Sequence, residues 1–174
     1  MGWWIKRTLA LLGLLAGGAS QAADPGALEY AVKANFLYKF GDYVTWPADA
    51  LGADGQPAIL CVAGEDPFGE VLDSAVAGER IGAHPVLVRR FQQLAAETDC
   101  NIVFTRRDAA AVKAVMGRPV LTISEAGIGA VITFVISQNR VRFEIDQQAA
   151  AVNGLEISSR LLGLAVRVRP KAAP

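Results

Sequence analysis

The sequence predicts an α/β fold, a single compact domain with a mainly parallel sheet, helices packed on both faces and a C-terminal β-hairpin. Three observations predict it. Short apolar runs (Ala58 to Ala63, Val86 to Val88, Asn101 to Thr105, Val120 to Ser124) alternate with helix-forming stretches, the rhythm of βαβ units. Acidic residues follow the strands, at Asp66 and Asp108, where helix N-caps belong. Two β-branched and aromatic runs, Val131 to Ile136 and Arg140 to Ile145, flank the polar turn Ser137-Gln138-Asn139.

Taken in order, Tyr30 to Val44 reads as the first helix, free of Pro and supported by a Glu29/Lys33 pair at i, i+4. It should stop before Trp46-Pro47. Tyr30, Ala34, Leu37 and Tyr38 form one apolar face, while Leu28, Val32, Phe36 and Phe40 form a second row at i, i+4 spacing. A helix apolar on two sides needs two things to bury against. The second row is either packed between two layers of the same domain or a contact surface for a partner or a second copy. Four large apolar side chains exposed together exceed what scattered surface hydrophobes explain.

After a Gly/Asp/Pro loop comes the strand Ala58 to Ala63. Asp66 then reads as an N-cap and Pro67 as the first helical residue, leading into a helix over Glu70 to Ala77. Strands follow at Pro85 to Arg90 and Asn101 to Thr105, then a helix from Asp108 to Met116 and a strand from Val120 to Ser124. Beyond the hairpin, Gln147 to Val152 is a short helix stopped by Asn153-Gly154. Ser158 or Ser159 caps a last helix over Arg160 to Ala165, and Val166-Arg167-Val168 precedes a Pro/Ala tail.

The N-terminus has the form of an export signal. Lys6 and Arg7 precede an apolar run, Leu9 to Leu15, too short to span a bilayer, and Ser20-Gln21-Ala22 fits the small-x-small cleavage pattern. The expected organisation is a signal peptide over 1–22, a leader over 23–29, one domain over 30–168 and a disordered tail over 169–174. No direct membrane insertion is expected after cleavage, and the expected compartment is an oxidising one outside the cytoplasm. The chain of 174 residues has 17 basic and 17 acidic side chains; loss of Lys6 and Arg7 leaves a net charge of about −2. That balance excludes an electrostatic nucleic-acid binder.

Cys61 and Cys100 form an even pair, which in an exported protein suggests a disulfide; two separate buried thiols are the alternative. His84, the sole histidine, stands before Pro85 in an expected surface loop without companions for a metal site. No Gly-x-Ser-x-Gly elbow presents a serine nucleophile. The sequence therefore predicts no enzyme, no cofactor and no metal. The Gly64–Gly69 turn joins a strand to a helix, as phosphate loops do, but its two carboxylates would repel a phosphate, so capping explains it better. Arg89-Arg90 and Arg106-Arg107 follow strands and either line an anion pocket or are solvated sheet ends. Arg142 and Glu144 share one face of their strand and point outward as possible ligand or partner contacts unless paired across the sheet.

Several stretches together resemble the YfiR-like family of periplasmic proteins. They are Tyr30-Ala31-Val32-Lys33-Ala34-Asn35-Phe36-Leu37-Tyr38-Lys39-Phe40 with Trp46-Pro47, Leu60-Cys61-Val62 leading to Asp66-Pro67-Phe68-Gly69, and Asp99-Cys100-Asn101-Ile102-Val103-Phe104. Val120 to Ser124, Val141 to Ile145 and Gly154 to Leu162 complete the set. The resemblance implies a disulfide at the Cys61 and Cys100 positions and a tendency to form a homodimer. It also implies a role in holding an inner-membrane diguanylate cyclase in check from the periplasmic side, and so in cyclic-di-GMP signalling and biofilm control. Some members carry a further cysteine pair nearer the C-terminus, which this chain lacks. A small-ligand-binding sensory module is the alternative reading.

Overall fold

The computed structural model describes residues 25–172, so the predicted signal peptide lies outside the described residues. Helix α1 (Pro25–Lys39) begins within the predicted leader and tightens into a 3-10 turn (Phe40–Tyr43) before the two-residue strand β1 (Val44–Thr45). Gly41 sits in this turn because a Cβ there would lie 2.5 Å from Cδ1 of Ile81. Then follow β2 (Ala58–Ala63), α2 (Glu70–Val76), β3 (Arg80–Ile81), β4 (His84–Phe91), β5 (Ile102–Thr105), α3 (Ala109–Ala114) and β6 (Leu121–Ser124). The hairpin is β7 (Ile132–Ser137) and β8 (Arg140–Asp146), and α4 (Gln147–Val152), β9 (Glu156–Ile157), α5 (Ser159–Leu162) and β10 (Arg167–Arg169) close the chain.

The eight-stranded sheet runs β10-β8-β7-β6-β5-β2-β4-β3, while β1 and β9 pair separately. All neighbours are parallel except β7/β8 and β3/β4. The predicted α/β class and largely parallel sheet are therefore present. Gln138 and Asn139, at φ 52° and 56°, make the two-residue turn between β7 and β8 that the right-handed twist of a hairpin favours.

Alternation along the central strands divides the interior in two. Leu60, Val62, Ile102, Phe104, Leu121 and Ile123 face α1 and α2, joined by Leu37, Phe40, Leu72 and the hairpin's Phe134 and Phe143. Ile59, Cys61, Ala63 and Val103 face the other way, against Ala111 and Val115 of α3 with Val120 and Cys100. Helices thus pack on both faces, but unevenly.

Capping follows the expected chemistry with one exception. Asp108, Asp146 and Ser158 accept backbone N–H bonds at the starts of α3, α4 and α5. Asp66 does not cap α2. Its Oδ1 accepts from the Phe68 and Gly69 N–H groups, folding a turn that precedes the helix, and Pro67 lies in that turn. His84 is also not a loop residue: it opens β4, is buried, and its Nδ1 lies 3.0 Å from the Gln56 carbonyl oxygen.

Candidate functional site

On α1 the second apolar row does not behave as one surface. Leu28 is 63% and Val32 37% exposed, Phe36 is half-buried, and Phe40 is 1% exposed. The reason is helical pitch: each i, i+4 step overshoots one turn by about 40°, so three steps wind the row about 120° around the axis. The row begins in solvent and ends in the core. Phe40 meets Phe143 edge-to-face at 5.0 Å and lies tilted 5.8 Å from Phe134, which removes it from the surface predicted for it. Phe36 bridges the two environments, its ring 5.5 Å from Phe40 and 6.0 Å from Phe143. Beside it, Ala31, Val32, Asn35, Phe36 and Lys39 line an open groove of about 380 Å³.

A second feature lies where the parallel strands end. Glu65 follows β2, Arg106 follows β5 and Glu125 follows β6, so strand direction delivers all three to one edge of the sheet. Lys33 reaches them from α1. It is 4% exposed, donates to Glu125 Oε1 at 2.7 Å and pairs with Glu29 as well. Arg106 donates from Nε to Glu125 Oε2 at 3.0 Å and from Nη1 to Glu65 Oε1 at 2.7 Å. The Tyr30 hydroxyl donates to Glu125 Oε2 at 3.4 Å.

Burial alone would raise the pKa of Glu125, but the hydrogen bonds from Lys33 and Arg106 outweigh it and hold the carboxyl below its ordinary value. Burial would lower Lys33, and the bonds to Glu125 and Glu29 reverse that and raise it. Burial first, then the Glu125 charge, pushes the Tyr30 phenol up. The cluster locks α1 to the strand ends as ion pairs. It contains no nucleophile paired with a base, and among the described residues no group of three or more His, Cys, Asp and Glu is placed to hold a metal.

Across the sheet, Cys61 in β2 and Cys100 at the entrance to β5 form a disulfide with a Cα–Cα separation of 5.9 Å. Parallel pairing of β2 with β5 brings them together, and Asn101 reinforces it: its N–H donates to the Ile59 carbonyl while its Oδ1 accepts from the Ile59 N–H. Both cysteines are buried.

A family model described as YfiR/HmsC-like matches residues 30–166. The chain belongs to the YfiR/HmsC-like family. No curated protein matches it. The YfiR/HmsC-like family is regulatory rather than catalytic and is known in the periplasmic control of diguanylate cyclases.

In this YfiR/HmsC-like chain the remaining candidate residues separate. Glu144 is paired across the sheet with Arg167 of β10 at 2.8 Å, an ion pair open to water on the arginine side. Arg142 points outward and reaches the Leu164 carbonyl only at 3.5 Å. Of the arginine pairs, Arg90 is consumed by Asp66, Asp73 and the Gly69 carbonyl, fastening the Asp66 turn to α2. Sequence alone singles out Arg106 and Lys33 separately but not Glu125, the carboxylate that joins them. The signal for the cluster was present: Glu65, Arg106 and Glu125 each stand one or two positions past a predicted parallel strand, and parallel strands bring such positions to one edge.

Proposed function

We infer that this chain is a periplasmic regulator that binds and represses an inner-membrane signalling protein, a diguanylate cyclase, through the exposed part of α1. The observation that carries this reading is the pairing of Leu28 and Val32, exposed on one helix row, with the groove lined by Phe36 and Lys39. Apolar side chains of that size beside a concave apolar surface are what a protein partner buries. The family supports the regulatory role and the compartment. A second copy of the chain competes for the same face, and homodimer formation belongs to the same proposal.

The test is recovery of membrane proteins from an envelope extract on immobilised protein, wild type beside Val32→Asp. Val32 is the right position because Phe36 also packs against core aromatics, whereas Val32 stands at the surface. Capture of an inner-membrane cyclase by wild type alone supports the reading. Equal capture by both forms refutes this surface.

A further inference from the structure

The sheet carries a topological switch point that none of the preceding roles uses. β4 and β5 lie on opposite sides of β2. The chain leaving β2 turns toward α2 on one face, and the chain leaving β5 turns toward α3 on the other. Loops that diverge in this way open a crevice outside the carboxyl ends of the two strands, the place where open α/β sheets take ligands. Here the crevice measures about 390 Å³ and is lined by Ala63, Gly64, Glu65, Thr105, Arg106, Arg107 and Asp108. Gly64, at φ +80°, turns the chain off β2, and a Cβ there would meet nothing within 4 Å, so the floor is open to an approaching group.

The charges at this crevice are unequally committed. Asp108 accepts from the Ala110 and Ala111 N–H groups through Oδ1. Arg106 is aimed by Glu125 from one side and capped by Glu65 from the other. Glu65 is 72% exposed, and an ion pair that open to water contributes little to stability and exchanges readily. Arg107 is exposed and makes no hydrogen bond or ion pair with another described side chain. The geometry points to a small-anion site: a ligand carboxylate or phosphate displaces Glu65 from Arg106 Nη1 and takes Arg107 as its second donor. Glu65 then acts as a built-in competitor, while Glu125 keeps the guanidinium oriented. A planar guanidinium held from behind is the usual way to recognise either anion. The inference is independent of the partner reading of α1.

Thermal stability of the purified protein would be followed against inorganic phosphate and, separately, acetate, at ionic strength held constant with sodium chloride. Saturable stabilisation is expected with at least one of them. Glu65→Gln should lower the half-saturating concentration about threefold or more, Arg107→Gln should raise it about tenfold, and the remote Arg160→Gln should match wild type. Saturation by phosphate alone identifies a phosphate ligand, and saturation by acetate at a similar midpoint identifies a carboxylate; either supports the site. The absence of saturable stabilisation in both wild type and Glu65→Gln overturns it. So does an Arg107→Gln response equal to wild type with unchanged circular dichroism.

Discussion

The two faces of the sheet are held by different means. On the α1 side a 15-residue helix, α2 and a cluster of phenylalanines in edge-to-face, tilted and stacked contact cover the strands. On the α3 side a six-residue helix covers a much smaller apolar set, and the Cys61–Cys100 disulfide lies within it. Where side chains bury a large area, packing suffices. Where they do not, a covalent link between neighbouring strands restricts the unfolded chain instead. The difference also bears on function. The well-packed face presents α1, whose inner side is fixed by Leu37, Phe40 and the Lys33–Glu125 pair while Leu28 and Val32 remain in water. On the partner role proposed for α1, a rigid helix with an apolar outer edge would meet its ordering cost in folding rather than in association.

Four variants separate these contributions, from the largest effect to the smallest. Phe40→Ala removes the centre of the aromatic cluster and should cost about 3–5 kcal/mol in urea denaturation. A cost under 1 kcal/mol would mean that the α1 face is not held by packing. Replacing both cysteines with alanine opens a link of sequence separation 39 and should cost about 3–4 kcal/mol. If the doubly substituted protein unfolds at the wild-type midpoint, the smaller face holds itself together and the contrast between faces fails.

Glu125→Gln leaves Lys33 buried with only Glu29 as a charged partner and should cost about 3 kcal/mol, the low end for a broken buried pair. Its pH dependence has a definite sign. The folded-state pKa of Glu125 lies below its ordinary 4.5, so the stability it contributes is complete above pH 4.5 and disappears as pH falls through the lower folded value. Lys33 behaves oppositely: raised above 10.5, its contribution is complete below that pH and disappears as pH rises through the raised value. Stability curves of Glu125→Gln should therefore lack part of the acid limb seen in wild type. An unchanged acid limb would show that the pair is not coupled to folding. Val32→Asp should alter stability by no more than about 0.5 kcal/mol, because it touches only the outer edge of α1.

Much of this architecture was legible in the sequence. The strand Ala58–Ala63 and the helix Gln147–Val152 have the limits their sequences indicate, because Pro57 and Gly64 bound the first and Asp146 and Asn153-Gly154 the second. The disulfide was legible from the only two cysteines. The two-residue strands β1, β3 and β9 were not, since two residues hold no periodicity and exist only through partners such as Val44 with Ile157. Sequence alone extends the first helix to Val44 because a single glycine, Gly41, does not by itself end a helix; the tightening at Phe40 brings Gly41 against Ile81, a long-range contact. The apolar row was read as a single face because i, i+4 spacing is nearly, but not fully, one helical turn. Glu29 and Lys33 read as an ordinary helix-surface pair, whereas Glu125, distant in sequence, makes Lys33 a buried residue.

The most direct test of the regulatory role of α1 is the cyclic-di-GMP content of cells lacking this protein, complemented with wild type or with Val32→Asp exported to the same level. Wild type should lower cyclic-di-GMP, while Val32→Asp, equally folded and equally abundant, should leave it near the level of the uncomplemented cells. Repression by Val32→Asp as complete as that by wild type would contradict the role assigned to α1.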